Sequence, residues 1–516
     1  MSESRPLPAW LPTAGIALAL VGLVALSFVQ RWTMLTESPY PIGVDGYFYP
    51  VQLRSLLETG ALEYPAAPLA FWLMAPLAAL TDPITGAKLG AALFGALVAL
   101  PAYGVGARLG RCRGAGLIAA VLATTSAGSA FLTIEFVKNG IGLTVLMTAI
   151  WLLMRALEKP VTSRIVLAVV AALLAVLAHK MAASMLVVFA VPAIIAGAAG
   201  HGMLRGRRLL YIIALVIGMT TLMFVLGLAF PKRLPSPGDI DLGHALFADA
   251  QHWDAPALVT RNVTLTFGHE ALIGAILGIA GAFVLANRRA IERIVLPASI
   301  RGEPARQSYP GETAITWTVI VMAIAIAWPR LEVTDAQGLG FRLRVAAFVP
   351  MALAAAIVAG RVFSRIKHRD FILAVIAAAL ATRTPGRRDE GRIQAHPAMV
   401  AAVQALAGKV PAGDTVIVPE RHIVFMVAWY TRDRVRSRPE GVEPAHRWRL
   451  LPLAWTGMGS PLDKALTAAR AGPRPPIGLH PRHPNGLVLV HDSTYQRIID
   501  ALPAGVRSAW SRWRTI

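Results

Sequence analysis

Four groups of residues in this chain of 516 amino acids have side chains suited to chemistry on sugars and anions. The first lies in "PIGVDGYFYPVQLRSLLETG", where Asp45 is followed by Gly46 and then by Tyr47, Phe48 and Tyr49. Glycine lets the backbone turn closely beside the carboxylate, and the rings, Tyr47 and Tyr49 among them, can line a pocket for a sugar or a lipid phosphate. The same stretch also reads as a solvated loop acid with aromatic rings at a membrane interface. The second group is "TIEFVKNG", with Glu135; this acid could join Asp45 in one site, or favour the start of the next helix through its dipole with Lys138 as ion-pair partner. Two such carboxylates could hold a divalent cation, Mg2+ or Mn2+, against a phosphate, or one could act as base while the other stays ionised.

The third group is "QGLGFRLRVAAFVP", in which Arg342 and Arg344 enter the start of an apolar helix. Guanidinium forks suit bidentate phosphate binding, of which Arg342 is the favoured candidate, while snorkelling without a ligand describes either equally well. In the fourth, "LAVLAHKMAASM", His179 and Lys180 interrupt a long apolar stretch. A turn between two helices needs polar residues in any case, but a His-Lys pair at a membrane edge could also bind phosphate or orient an acceptor. His252, Asp254, His269 and Glu270 show no zinc-site spacing, and the loop 230–269 that carries them reads as a mobile gate to a site.

The elements that would position these residues are membrane helices. The chain is 55% hydrophobic and 15% charged, with mean hydropathy +0.57, which is a membrane composition. Its one cysteine, Cys112, excludes an intrachain disulfide. Apolar runs lie at 11–29, 86–107, 114–133, 139–155, 164–178, 181–199, 209–229, 270–286, 314–328 and 345–360, with a shorter one at 371–382. They predict about eleven transmembrane helices, the first being retained rather than cleaved as a signal peptide. The net charge of +21 could suggest nucleic acid, but its location argues otherwise. Loops 107–114, 155–164, 201–208, 287–313 and 361–369 hold eighteen Lys/Arg against four acids and all fall on one face, which the positive-inside rule makes cytoplasmic. Asp45, Glu135 and His179-Lys180 fall on the opposite face, as do the acids of the loop 230–269. Residues 68–81, short and broken by Pro76, read as a helix lying in the interface with Trp72 at headgroup depth.

From Arg383 no spanning run occurs, and the pattern becomes that of a small soluble α/β domain. The predicted division is 1–382 for the transmembrane part and 383–516 for the soluble part. "HPAMVAAVQALAGKV", "SPLDKALTAARAG" and "DSTYQRIIDALP" read as helices, and "DTVIVP" and "GLVLVH" as strands.

The N-terminal arrangement resembles the GT-C superfamily of integral membrane glycosyltransferases. "VDGYFYPVQLRSLLETG" is most similar to the matching stretch of oligosaccharyltransferase catalytic subunits, and "FRLRVAAFVP" to the late helix whose Arg contacts the lipid-linked phosphate. The resemblance implies a polyprenyl-phosphate or pyrophosphate sugar donor and an extracytoplasmic acceptor that is a cell-envelope glycan, a lipid or a protein. It also implies an inverting hexosyl or pentosyl transfer with Asp45 and Glu135 catalytic, in a bacterial inner membrane with both the active site and the tail outside. The chain departs from sequon-glycosylating members in having no W-W-D motif in its tail. A transporter or lipid flippase is the alternative; against it, no paired halves are found, and the candidate residues collect at one face instead of along a path.

Overall fold

The computed structural model describes residues 11–43, 45–201, 267–287, 309–328, 339–382, 397–418, 421–452 and 487–500, with isolated positions between 210 and 228. The chain is mostly helical. In order, the helices up to residue 200 are α1 Leu11–Thr36, α2 Phe48–Thr59, α3 Leu69–Leu80, α4 Pro83–Leu97, α5 Ala99–Leu109, α6 Arg113–Thr125, α7 Ala127–Ile134, α8 Val137–Glu158, α9 Thr162–Ala178 and α10 Lys180–Gly200. They are followed by α11 Gly268–Ala286, α12 Pro310–Ile326, α13 Leu339–Val345, α14 Phe348–Val362, α15 Arg369–Ala381 and α16 Pro397–Gln404.

Among the described residues six helical stretches are long and apolar enough to cross a membrane: Thr13–Thr36, Pro83–Leu109, Val137–Glu158, Lys180–Gly200, Gly268–Ala286 and Gly340–Val362. A seventh is formed if α6 and α7, bent by 46° at Ser126, count as one. The count expected from sequence is larger for physical reasons. At 1.5 Å per residue, α9 and α12, of 17 residues each, are shorter than a ~30 Å hydrocarbon layer. The run 371–382 forms the 13-residue α15, and most of 209–229 lies outside the described residues. Residues 68–81 do form a separate short helix, α3, with Pro76 inside it and Trp72 exposed.

The chain divides into two compact units. The first draws its described residues from Met1–Met34, Tyr64–Met74 and Leu89–Arg388. Its core is built of small residues: Ala99, Ala102, Ala115, Ala119, Ala352 and Ala356 are all fully buried, which lets helix backbones approach closely without a large side chain between them. Larger residues such as Leu143, Met147 and Phe189 fill the remaining space.

The second unit joins Leu35–Glu63 and Ala75–Lys88 to the tail, Asp389–Ile516. Its described tail holds β1 Thr415–Ile417, α17 Arg421–Thr431, β2 Arg434–Arg436, β3 Arg447–Pro452, β4 Leu487–His491 and α18 Asp492–Asp500. The sheet order is β2-β1-β3-β4; β1 runs parallel to both β2 and β3, and β3 antiparallel to β4. Central β1 is buried at every position, as a strand covered on both faces must be. The strings "DTVIVP" and "GLVLVH" thus supply β1 and β4, and α16 and α18 fall in two of the expected helices, while "SPLDKALTAARAG" lies outside the described residues.

Candidate functional site

Asp45, Tyr47 and Tyr49 belong to the second unit; Glu135, His179, Lys180, Arg342 and Arg344 belong to the first. The two groups are therefore described separately.

In the second unit, Asp45 is half-buried in a turn that leads into α2. Its carbonyl accepts the Phe48 N–H at 3.0 Å, and the Gly46 N–H reaches the Gly43 carbonyl at 3.2 Å. A Cβ at position 46 would stand 2.5 Å from the Ile42 carbonyl oxygen, so the turn beside the carboxylate admits only glycine. Tyr47 and Tyr49 are buried, at 4% and 3% exposure. Their rings serve packing: Tyr47 shares a 3.0 Å hydroxyl hydrogen bond with Tyr430, and Tyr49 meets Phe48 edge-on. Burial and the Tyr430 hydroxyl push the Tyr47 phenol far above its ordinary pKa.

These contacts are part of a seam between α2 and α17. Phe48 packs edge-on against Phe425, with centroids 4.9 Å apart. Arg54 donates to the Trp429 carbonyl at 2.7 Å and the Ala428 carbonyl at 2.9 Å, and its guanidinium lies 4.7 Å from the centre of the Trp429 ring. Those carbonyls fall in the last turn of α17, where no intrahelical donor remains, so Arg54 caps the negative end of that helix. Arg432 and Glu58 add an exposed ion pair at 3.5 Å.

In the first unit, Glu135 is buried at the break between α7 and α8. Beside it, Phe136 and Phe131 join Phe267 and Phe341 in a mutually edge-on cluster, with centroids 5.0–6.4 Å apart. Arg342, half-buried, lies over the Phe136 ring at 5.5 Å. His179 occupies the turn outside α9 and α10, where its Nδ1 accepts the Met181 N–H at 3.1 Å and caps α10. Burial pushes its pKa well below the ordinary histidine value, and the positive charges of Lys138, Arg342 and Lys180 act the same way. His179 therefore stays neutral with its acceptor nitrogen engaged, and the cationic character of the cluster comes from Lys138, Lys180 and Arg342.

Arg344 differs from Arg342. It is fully buried and donates to the Trp328 carbonyl at 3.0 Å, just beyond the end of α12, so it ties α13 to that helix.

Two charged residues flank the α6–α7 break: Arg31, which the sequence reading does not name, and Glu270, which it weighs only for zinc-site spacing. Arg31, buried in α1, directs its N–H groups to the Ser27 hydroxyl and carbonyl, the Thr124 carbonyl at 2.9 Å, the Ser129 hydroxyl at 2.8 Å and the Thr133 hydroxyl at 3.1 Å. The Thr124 carbonyl is one of those released where α6 ends. On the other side of the break Glu270 accepts the Ala127 N–H at 2.6 Å and the Gly128 N–H at 3.1 Å. A cation thus sits at the C-terminal end of one half-helix and an anion at the N-terminal end of the next, as the two helix dipoles favour. A Cβ on Gly128 would stand 2.2 Å from the Val345 carbonyl oxygen, so α7 and α13 meet there backbone to backbone. Arg31 lies just past the apolar run ending at Val29, where the sequence reads as loop, although α1 continues to Thr36.

His252 and Asp254, with most of the loop 230–269 expected to gate a site, lie outside the described residues. Among the described residues no group of three or more His, Cys, Asp or Glu side chains is placed to hold a metal ion. No protein-family model matches the chain, and no curated protein sequence matches it.

Proposed function

We propose that this chain is a membrane glycosyltransferase that moves a sugar from a polyprenyl phosphate or pyrophosphate to an acceptor outside the cytoplasm. The observation that carries the proposal is the cluster in the first unit. Lys138, Lys180 and Arg342, from the start of α8, the start of α10 and α13, all bear on His179; Arg342 lies over one ring of the four-phenylalanine cluster, and Glu135 stands at the α7–α8 break, next in sequence to that ring. Cations next to an apolar aromatic surface suit a lipid-linked phosphate, which presents both an anion and a hydrocarbon chain.

In the reaction the oxygen of an acceptor hydroxyl attacks the anomeric carbon. The bond from that carbon to the phosphate oxygen breaks, its electron pair passes to the phosphate, and the hydroxyl proton passes to a carboxylate base, the role that the sequence resemblance implies for Asp45. Arg342, Lys138 and Lys180 stabilise the departing phosphate, and Glu135 assists by orienting the cations. A cation held by Asp45 and Glu135 is not given a step, since those residues belong to separate units.

The tail supports the same membrane sidedness for Asp45 and the soluble domain. Leu35–Glu63 and the described tail form one compact unit, so an even number of crossings separates them. The ten apolar runs read from the sequence between them meet that condition if the short helices α9, α12 and α15 cross with local thinning of the bilayer and α3 does not. Eleven crossings in all then leave the basic loops inside and the Asp45 turn outside.

The test is sugar transfer by the purified chain in lipid, from a panel of radiolabelled polyprenyl-phosphate sugars to a cell-envelope extract. Asp45→Asn is expected to abolish transfer while lipid binding persists. Equal transfer by both proteins would remove Asp45 from the mechanism, and no transfer by the folded wild type across the panel would overturn the enzymatic reading in favour of transport.

A further inference from the structure

The edge strand of the tail sheet and the residues flanking it carry a row of arginines that the proposed reaction does not use. In "TRDRVRSRPEG" they stand at every second position, Arg432, Arg434, Arg436 and Arg438, and all four are exposed. Strand β2 buries Val435 and exposes Arg434 and Arg436, which therefore share one face about 7 Å apart. Arg432 pairs with Glu58, and Arg436 donates to the Glu440 carbonyl at 3.2 Å. Arg434 and Arg438 make no hydrogen bond or ion pair among the described residues. The nearby acids do not cancel the row: residues 432–440 hold four arginines and two acids, half-buried Asp433 and exposed Glu440, so a positive excess remains.

Basic residues on an edge strand also discourage strand addition, and that purpose alone would explain one or two of them. What the row faces is indicated by the composition of its own unit. That unit includes the last residues of the span α1, Leu35 and Thr36, and the first residues of the span Pro83–Leu109. Lys88 joins these two ends by donating to the Ser38 carbonyl at 2.7 Å. The tail sheet is thus packed in one body with two points where the chain leaves the bilayer. α17, which leads directly into the row, is fixed to α2 by Arg54 and Tyr47.

From this juxtaposition we infer that Arg432, Arg434, Arg436 and Arg438 form a docking surface for anionic phospholipid headgroups of the membrane that the chain itself spans. Guanidinium groups bind phosphate oxygens in pairs and are weakly hydrated, so they suit a headgroup layer. The surface would hold the soluble part of the second unit against the bilayer.

The test uses the full chain with Cys112→Ala and Ser437→Cys, labelled at position 437 with an environment-sensitive fluorophore. The protein is reconstituted in phosphatidylcholine alone, or in phosphatidylcholine containing one third phosphatidylglycerol, with a headgroup spin-labelled lipid as quencher in both. Quenching is expected to be stronger with phosphatidylglycerol and to weaken with added salt. Each Arg→Gln change at 434 and 438 should reduce the anionic-lipid component about fivefold, the effect of one basic residue near a charged surface. These positions are exposed, so the variants should retain the wild-type thermal transition. Equal quenching in the two lipids would overturn the inference and leave the row as edge protection. So would insensitivity to Arg434→Gln and Arg438→Gln. Shielding of the label by a soluble acidic polysaccharide, with no effect of phosphatidylglycerol, would assign the row to a glycan instead.

Discussion

Replacement of Arg54 by alanine should open the seam between α2 and α17. The side chain supplies two charge-assisted hydrogen bonds, at 2.7 and 2.9 Å, to carbonyls that have no helical donor, and a stacking contact with Trp429. Fully buried, two such bonds would be worth about 3–6 kcal/mol and the stacking contact about 0.5–1 kcal/mol more. Arg54 is half-buried, so water can replace part of what is lost, and a net cost of about 3 kcal/mol is expected. At 1.4 kcal/mol per decade this is about a hundredfold shift in the local opening equilibrium. Hydrogen–deuterium exchange of the full chain in nanodiscs reads that shift directly as faster exchange of the α17 amides. Arg54→Lys keeps a charge near the carbonyls but loses the fork, and should recover only part of the protection. If α17 exchange in Arg54→Ala stays within about twofold of wild type, the seam is not held by this residue and the reasoning fails.

Gly46→Ala must displace either the new Cβ or the Ile42 carbonyl, which would stand 2.5 Å apart; a loss of about 2 kcal/mol is expected, seen as a lower Tm and faster exchange of residues 41–48. Tyr47 has a folded pKa raised above its unfolded value, so its contribution to stability is complete below the ordinary tyrosine pKa and is lost as pH rises above it. Tyr47→Phe should therefore flatten the alkaline fall in Tm, and an unchanged alkaline limb would count against the buried phenol. Arg31→Met leaves the Thr124 carbonyl and three hydroxyls without their donor, and should cost about 2–4 kcal/mol. Glu270→Gln, which keeps one acceptor oxygen but loses the other together with the charge at the α7 N-terminus, should cost less, about 1–2 kcal/mol. Thermal unfolding in one detergent ranks the two, and the reverse order would contradict the described roles.

The membrane character of the chain was legible because hydropathy and length are properties of contiguous residues. So were the strands "DTVIVP" and "GLVLVH", each a short β-branched or aliphatic run bounded by turn residues. Strand β2 and helix α17 were not, since "RVR" lacks an apolar run and only the pairing of Val435 with Val416 buries its one apolar residue. The α6–α7 break was also hidden. "LATTSAGSAFLTI" carries no charge and lies inside a longer apolar run, so its weak helix formers do not mark where the helix breaks, and the interruption at Ser126 is stabilised by Arg31 and Glu270, from positions 93 residues before Thr124 and 143 after Ala127. Aromatic spacing around Asp45 suggested an open, ring-lined pocket, whereas Tyr47 and Tyr49 are consumed by packing. Tyr430, which meets Tyr47, and Phe425, which packs on the intervening Phe48, lie nearly four hundred residues away.

Three arginines near helix ends show where the phosphate-binding reading has its footing. From sequence the spacing left Arg342 and Arg344, two residues apart in one apolar helix, ambiguous with Arg342 favoured, and Arg31 did not enter. Their acceptors separate them. Arg31 satisfies its donors with hydroxyls and the carbonyls of Ser27 and Thr124, and Arg344 is fully buried against the Trp328 carbonyl. A cation solvated in this way by neutral oxygens inside a bundle serves to join helices, because releasing it to a ligand would strand those oxygens. Arg342 lies instead over an aromatic ring, half-buried, and its charge acts on His179 together with those of Lys138 and Lys180. Like charges held together cost energy unless an anion is near them. A lipid-linked phosphate would supply that anion. The choice of Arg342 over Arg344 therefore follows from what each guanidinium would have to give up in order to bind a phosphate.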